Sequence, residues 1–449
     1  MPQETILVVG AGIFGVSTAL HLAKRYPSSA SSITLLDRAP FPHNTQAASA
    51  DINKIIRADY SSPLYTELGF EAIQAWKADP LFQSRATATT SSDPDGKGKL
   101  DGGVYHQSGW IAMDEKNSDI PVKIRENFKE GGYEGNIIDM SEDQVRKSWG
   151  GVLQRTDLSP FGSYYYNQSA GWADAGEALR LMLSEAIRLG VRYEVGEAKR
   201  IVLSEGGSGV SGVETSTGTI HRADKVLLTT GAWTSAIMAS LEDELGLSEE
   251  ERVETQVSAA GVCVAHFQLS KEEKEVFDEL PVLVYGGQGE VIPPTPSGVL
   301  KFTSTTSFKN TVSTSTGHSI SIPVEDQTTA PAGLQKDSIA SVRYRLPQLL
   351  DNGRKPDYYR LCWDSISASQ HPLITRHPDD RLSNLFFGIG GSFHFYKFLP
   401  TIGRYVLNVL EGRSNGDIMD KAWKWKSAEE NERGVHESLV PKHEYRDFI

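Results

Sequence analysis

One stretch constrains the fold of this chain more than any other: TILVV at residues 5 to 9 runs into VVGAGIFGVSTALHLAKR and, after a turn, into ITLLDR at 33 to 38. A β-branched run followed by helical period from Val16 to Lys24 predicts strand, tight turn and helix, with ITLLD as the next strand. Parallel strands need a crossover, so residues 5 to 38 form a β-α-β unit. Gly10, Gly12 and Gly15 give the G-x-G-x-x-G spacing at the head of that helix. The first glycine allows the turn, the second lets a pyrophosphate approach the backbone, and the third permits close helix-to-strand packing, while the helix N-terminus favours the anion. Asp37 closes the second strand about 20 residues on, where a carboxylate accepts hydrogen bonds from a ribose hydroxyl. Ile13, Phe14 and Arg38 complete the set expected to face the cofactor. A dinucleotide is implied; the motif alone does not choose between FAD and NAD.

With 449 residues the chain exceeds one simple core, and at roughly 150 residues per domain it holds two or three substructures. Ala173 to Leu189 reads as an amphipathic helix, VRYEV and RIVLSE as strands, and ADKVLLTTGAWT as a buried strand ending in a glycine turn at Gly231 and Trp233. The dinucleotide lobe therefore returns in mid-chain. Alternating patterns in GVCVAHFQL, PVLVYGG and GVLKFTS predict antiparallel strands of a second sheet covering the substrate. Residues 85 to 103 and 303 to 336, rich in Ser and Thr, read as long surface loops, and a final helix is expected around Ile402 to Leu410. The expected fold class is α/β, a dinucleotide-binding (Rossmann-like) domain interleaved with an antiparallel-sheet α+β substrate domain. The boundaries are 1–80, 150–235 and 355–449 for the first and 81–149 and 236–354 for the second.

The formal net charge of -13 disfavours nucleic acid and anionic membranes as partners, because both need an extended basic surface. A small anionic substrate stays open wherever a few Lys and Arg residues converge. No apolar run approaches the ~20 residues of a membrane span, and no basic-then-apolar leader opens the chain, so an intracellular, cytoplasmic protein is expected. Asp447-Phe448-Ile449 is not a peroxisomal address of the Ser-Lys-Leu type. Two cysteines, Cys263 and Cys362, allow neither a disulfide framework nor a four-cysteine zinc site, and no metal is expected. Asn167-Gln168-Ser169 matches the glycosylation pattern by chance, since nothing else points to secretion.

RLCWD at Arg360 to Asp364, HPLI from His371 and GGSFHFYKFLPTIG from Gly390 to Gly403 combine with NKIIR at Asn53 to Arg57, AGWADA from Ala170 and the opening motif. Across nearly its whole length the chain thereby resembles the family of monomeric sarcosine oxidase and the fungal fructosyl amino acid oxidases, or amadoriases. The resemblance implies FAD, covalently held through its 8α-methyl group by a cysteine in the segment matching RLCWD, which is Cys362. The residue type alone would make Cys362 a small buried hydrophobe, the reading kept for Cys263. Lys225 to Trp233 matches the second nucleotide-binding turn of such flavoproteins, and Gly391, Ser392 and Phe393 join the cofactor-facing set.

The resemblance also implies that Arg57 and Lys397 hold a substrate carboxylate, the first bidentately and the second as a point charge. Lys397 and Lys54 border the flavin as well. If NKIIR is extended, Lys54 and Arg57 point to opposite faces. The family uses a lysine near flavin N5 to speed reaction with oxygen, and Lys301 matches it, with Lys54 as second candidate; a cation there stabilises the charge that develops on oxygen. Two readings stand for Lys301, this one and an exposed strand lysine. His394 either polarises the flavin or packs.

Departures from the family pattern bear on the substrate. Phe393 and Phe395 replace small residues before Lys397 and give the pocket an aromatic wall. Pro293 falls where amadoriases carry a sugar-binding glutamate, and Glu290 is the nearest acid. The expected activity is oxidation by FAD and oxygen of the C–N bond of a secondary amine, an N-substituted amino acid, giving an imine that hydrolyses, plus hydrogen peroxide. The chain is expected to act as a monomer. Competing readings are a flavin-dependent tailoring enzyme acting on an aromatic or cyclic amine, and a non-catalytic flavin-binding regulator on the same scaffold.

Overall fold

A computed structural model describes residues 4–41, 46–83, 103–207, 209–427 and 439–449. The loop expected over 85 to 103 lies outside them except for Gly103. The opening unit folds as its pattern dictates, with strand Ile6–Val9, helix Ile13–Arg25 and strand Ile33–Asp37. These strands sit inside a six-stranded sheet of order Leu373–Arg376, Leu385–Ile389, Lys225–Leu228, Ile6–Val9, Ile33–Asp37 and Arg192–Val195. Every neighbouring pair is parallel except the first. Both faces are covered, which explains the unbroken apolar runs. Val8, Leu35 and Leu227 join the core under the Ile13–Arg25 helix, whereas Leu7, Leu36, Val226 and Leu228 join the core of the opposite face. The Ile13–Arg25 helix packs between Ile402–Leu410 and Ala175–Arg188, both close to the expected helices.

The second sheet has nine strands. Its main path is Tyr358–Ile366, Ser258–Gln268, Val299–Lys309, Glu290–Ile292, Val282–Val284, Trp110–Glu115, Phe161–Asn167 and Ile137–Asp139, with His443–Glu444 beside Val299–Lys309. The pairing is antiparallel except where Val282–Val284 meets Trp110–Glu115 and where His443–Glu444 joins. The strand that carries Cys362 thus belongs to this sheet. Period two sorts its side chains: Val262, Val264 and Cys362 pack on one face, while Cys263, Leu361 and Trp363 pack on the other.

Residues 303 to 336 are not the loop their composition suggested. Val299–Lys309 is one strand, a hairpin of Thr311–Ser313 and Ser319–Ser321 follows, and a helix starts at Ala332. β-branched Thr suits a pleated surface, Phe302 and Phe308 anchor the strand in the core, and the Thr305 hydroxyl donates to the Gly287 carbonyl at 2.7 Å. Among the described residues no helix is long and apolar enough to cross a membrane, and no three His, Cys, Asp or Glu side chains cluster as a metal site.

Candidate active site

A cavity of about 1160 Å³ runs from the opening glycine turn to Lys397, lined by both sheets. It exceeds the roughly 300–1,000 Å³ of ordinary ligand pockets, so it has room for a cofactor and a substrate together.

At the nucleotide end, a Cβ on Gly15 would fall 1.9 Å from the Gly10 carbonyl oxygen, so only glycine fits there. A Cβ on Gly12 would meet nothing nearer than Ser49 Oγ at 3.6 Å, and the space before this turn is open. The Ile13–Arg25 helix has no side-chain cap and no acid in its first turn, which leaves its N-terminal N–H groups and dipole for an anion. Ser49 Oγ is buried on the same cavity wall and has no hydrogen-bond partner among the described residues. Asp37 accepts from the backbone N–H of Ala11 at 2.7 Å and of Ala39 at 3.0 Å. Burial pushes its carboxyl up, against the pull of those donors. Thr229 Oγ1 donates to the Gly10 carbonyl at 2.7 Å and ties the mid-chain turn at Gly231 and Trp233 to the first one. Arg38 stacks 4.4 Å over Trp233. Cradle, orphaned hydroxyl and stacked cation fit a dinucleotide.

Further along, Asp51 gathers three cations: Lys54 at 2.8 Å, Lys301 at 2.9 Å and Arg360 at 3.6 Å. Lys301 is 2% exposed and also donates to the Asn53 carbonyl at 2.8 Å, so the exposed-lysine reading is excluded. Burial alone would raise the Asp51 carboxyl, but Lys301, Lys54 and Arg360 hold it well below its usual range. Burial pulls the Lys301 ammonium down against Asp51; for Lys54 burial pulls down too, but Asp51 and Cys362 outweigh it and leave it raised. Cys362 lines the same cavity, whereas burial drives the Cys263 thiol on the opposite face up to about 12.

A second cationic group surrounds Tyr60. Arg57 stacks 4.2 Å over its ring and 5.0 Å over Trp110. Lys397, 3% exposed, donates to the Tyr60 hydroxyl at 2.8 Å and the His394 carbonyl at 2.5 Å. No carboxylate pairs with it among the described residues. Burial first, and Arg57 second, push this ammonium well below the ordinary lysine range. The strand Lys54–Ile56 stops before Arg57, and both residues line the one cavity, Lys54 with Asp51 and Arg57 with Tyr60.

His394 lines the cavity, and its two ring nitrogens meet the Tyr60 hydroxyl at 3.0 Å and the Gln370 carbonyl at 2.9 Å. Phe395 stacks on Phe14 at 5.7 Å and forms part of the cavity wall. Ser392 and Phe393 take φ of +46° and +61°, rare for residues with side chains, and Phe393 packs against the Val262, Val264 and Cys362 cluster. Asp364 holds this turn by accepting from the Phe393 N–H at 2.8 Å, and a Cβ on Gly391 would lie 2.8 Å from its Oδ2. Glu290 lines the cavity on the strand beside Lys301, while the Pro293 carbonyl accepts from Asn53.

Sequence reasoning missed Ser49, Asp51, Asp59, Tyr60, Asp114 and Asp364. Two signals were available: Asp51 stands three residues before Lys54, and Asp364 lies two after Cys362, hence on the same strand face. Asp59 and Asp114 carried no motif.

Residues 5–408 match the family described as FAD dependent oxidoreductase (DAO). L-saccharopine oxidase of Schizosaccharomyces pombe is 28% identical over 446 residues, 94% of this chain and 93% of the relative. Human peroxisomal sarcosine oxidase is 24% identical over 404 residues, 89% of this chain and 90% of the relative. The crystal structure of fructosamine oxidase (amadoriase II) from Aspergillus fumigatus superposes with a TM-score of 0.77 at 26% identity, over 100% of this chain and 97% of that one.

Proposed function

This chain belongs to the FAD dependent oxidoreductase family, and we propose on that footing that it oxidises the C–N bond of a secondary amine, an N-substituted amino acid, with oxygen as electron acceptor. The carrying observation is Lys397: a lysine buried in the cavity wall, sharing Tyr60 with Arg57, whose hydrogen-bond partners among the described residues are a hydroxyl and a carbonyl. A substrate carboxylate supplies the missing negative charge, and Arg57 adds a bidentate grip. The saccharopine, sarcosine and fructosamine oxidases that the chain is similar to are named for substrates of this kind.

FAD, when bound, supplies the electron-accepting ring, and the substrate leaves as an imine that water hydrolyses. Gly12, the helix N-terminus and Ser49 would hold its pyrophosphate, Asp37 its ribose, and Arg38 with Trp233 would border its adenine end. Cys362 would hold the ring covalently, a reading supported by its cavity-facing place beside Lys54. Lys301 and Lys54, fixed by Asp51, present positive charge where oxygen accepts electrons. Phe395 excludes water from the amine's surroundings.

The test is anaerobic mixing of the yellow protein with L-saccharopine, sarcosine, pipecolate and fructosyl-valine, then admission of air. Bleaching by at least one of them and peroxide release are expected. A flavin that dithionite reduces but none of these amines does would sink the reading, and bleaching with sluggish reoxidation in air would replace oxygen by another acceptor. Acid precipitation separates the tether: the colour stays with the pellet, and is lost to the supernatant in Cys362→Ser.

A further inference from the structure

Arg57 and Lys397 are cations on one cavity wall, and the side chain that joins them carries no charge. Tyr60 is 1% exposed, and burial, opposed by Arg57 and helped by Asp59, pushes its hydroxyl up, so the phenol stays protonated. The Arg57 guanidinium lies 4.2 Å over the ring, while the Lys397 ammonium reaches the hydroxyl at 2.8 Å. That hydroxyl has one hydrogen to give, and His394 decides where it goes. His394 Nε2 faces the Gln370 carbonyl at 2.9 Å, and a carbonyl only accepts. In the neutral ring Nδ1 is therefore the acceptor, and the Tyr60 hydroxyl donates to it at 3.0 Å. The phenol oxygen is thereby left to accept from Lys397, which also donates to the His394 carbonyl at 2.5 Å. Among the described residues these two bonds use two of the three ammonium hydrogens and leave the third for a ligand. Both ends of the contact are fixed from behind: Trp76 Nε1 donates to the Lys397 carbonyl at 2.7 Å, and Asn127 Nδ2 to the Tyr60 carbonyl at 2.9 Å.

An acid in the place of Tyr60 would neutralise the cations and compete with an incoming anion. A phenol supports both and consumes neither charge. The remaining charged groups act on Lys397 from further off: after burial, Arg57 lowers its value, while Glu290 and Asp59 raise it.

We propose that Tyr60 is a positioning residue, a neutral frame that holds the guanidinium on its ring and the ammonium on its hydroxyl so that both charges meet one substrate carboxylate. The inference rests on the amine-oxidase reading and adds to it the residue that sets the pair. The ring acts by cation–π attraction and the hydroxyl as acceptor from a charged donor, so two substitutions separate the two parts.

The experiment takes an amine, among those named above, that bleaches the wild-type flavin. It is mixed anaerobically with Tyr60→Phe and Tyr60→Leu across the neutral to alkaline range, each also in a Lys397→Met background. Half-saturation and limiting bleaching rate are read separately. Tyr60→Phe keeps the ring and loses the acceptor, which lowers the Lys397 value further. The pH at which half-saturation begins to climb is expected to move down by about one unit, a tenfold loss on the alkaline limb that falls on half-saturation rather than on limiting rate. Tyr60→Leu removes the ring as well and is expected to cost about a hundredfold. In the Lys397→Met background Tyr60→Phe is expected to shift nothing. An unmoved limb in Tyr60→Phe overturns the proposal, as does an equal loss in the Lys397→Met background or a loss confined to limiting rate. If Tyr60→Phe does not fold, Lys397→Met, which removes the stranded ammonium, is expected to restore the yellow protein; failure in both backgrounds makes Tyr60 a part of the core and overturns the proposal too. If no amine bleaches the wild-type flavin, the amine-oxidase reading falls and takes this one with it; bleaching with an unmoved limb removes the role of Tyr60 alone.

Discussion

Two buried lysines line one cavity and differ in what surrounds them. Lys301, 2% exposed, meets the Asp51 carboxylate at 2.9 Å, whereas Lys397, 3% exposed, donates to a hydroxyl and a carbonyl and touches no carboxylate among the described residues. Burial drags both ammonium groups down, and the drop is deeper for Lys397, where Arg57 adds to burial and Glu290 and Asp59 oppose it without touching it, than for Lys301, which Asp51 meets directly. A charge that is already compensated serves as fixed scenery for chemistry, while one that lacks its counter-ion is set to receive it from a ligand. Fold stability should therefore depend on Lys301's neighbourhood, and substrate capture on Lys397.

The strongest way to break this contrast is Asp51→Asn, which strands Lys54, Lys301 and Arg360 together. It is expected to cost about 3–5 kcal/mol in denaturant unfolding, partly recovered when Lys301→Met is added. No loss of stability would show that Asp51 is not the counter-ion. Next, Lys397→Met removes a buried amine that touches no carboxylate among the described residues, so the thermal midpoint of the amine-free protein should hold or rise while kcat/KM for a carboxylate-bearing amine falls about a hundredfold. A fall in midpoint with retained activity would reverse the assignment.

Proton linkage gives a smaller, graded effect. Lys397 has a lowered value in the free protein, and a bound carboxylate raises it, so binding takes up a proton between the two. Affinity should weaken as pH climbs through that interval, by at most about tenfold per unit. The same depression means that the unfolded chain binds more protons than the folded one, so stability from this group rises with pH up to its ordinary value of 10.5. Titration calorimetry in buffers of different ionisation heat reads the uptake directly; no buffer dependence contradicts it. Smallest of all, Ser49→Ala in a Cys362→Ser background should weaken FAD binding by about 1 kcal/mol, one hydrogen bond to phosphate. An unchanged FAD affinity would remove Ser49 from the nucleotide cradle.

The nucleotide end was legible in the sequence because its constraints are local: Gly10, Gly12, Gly15 and Asp37 all fall within one β-α-β unit. The far wall was legible only by family resemblance, since Lys301 and Cys362 on two strands and Lys397 on a short helical turn converge from distant parts of the chain. Asp51, Asp59 and Asp114 were unreadable for a different reason. An acid looks the same in sequence whether solvent or three cations surround it, and only the packing of both sheets decides. The Ser- and Thr-rich stretch after residue 303 misled in the same way, because hydroxyl-bearing residues suit a strand as well as a loop once partners satisfy them.

The pairing of Ser258–Gln268 with Tyr358–Ile366, which sets Val262 opposite Cys362 and Cys263 opposite Leu361, has an effect that reaches past packing. A slip of one residue would turn Trp363 to the face that now carries Cys362 and hide the thiol. Retained yellow colour would then certify more than a chemical bond: it would be a proofreading mark, visible by eye, that this ladder closed in its native alignment.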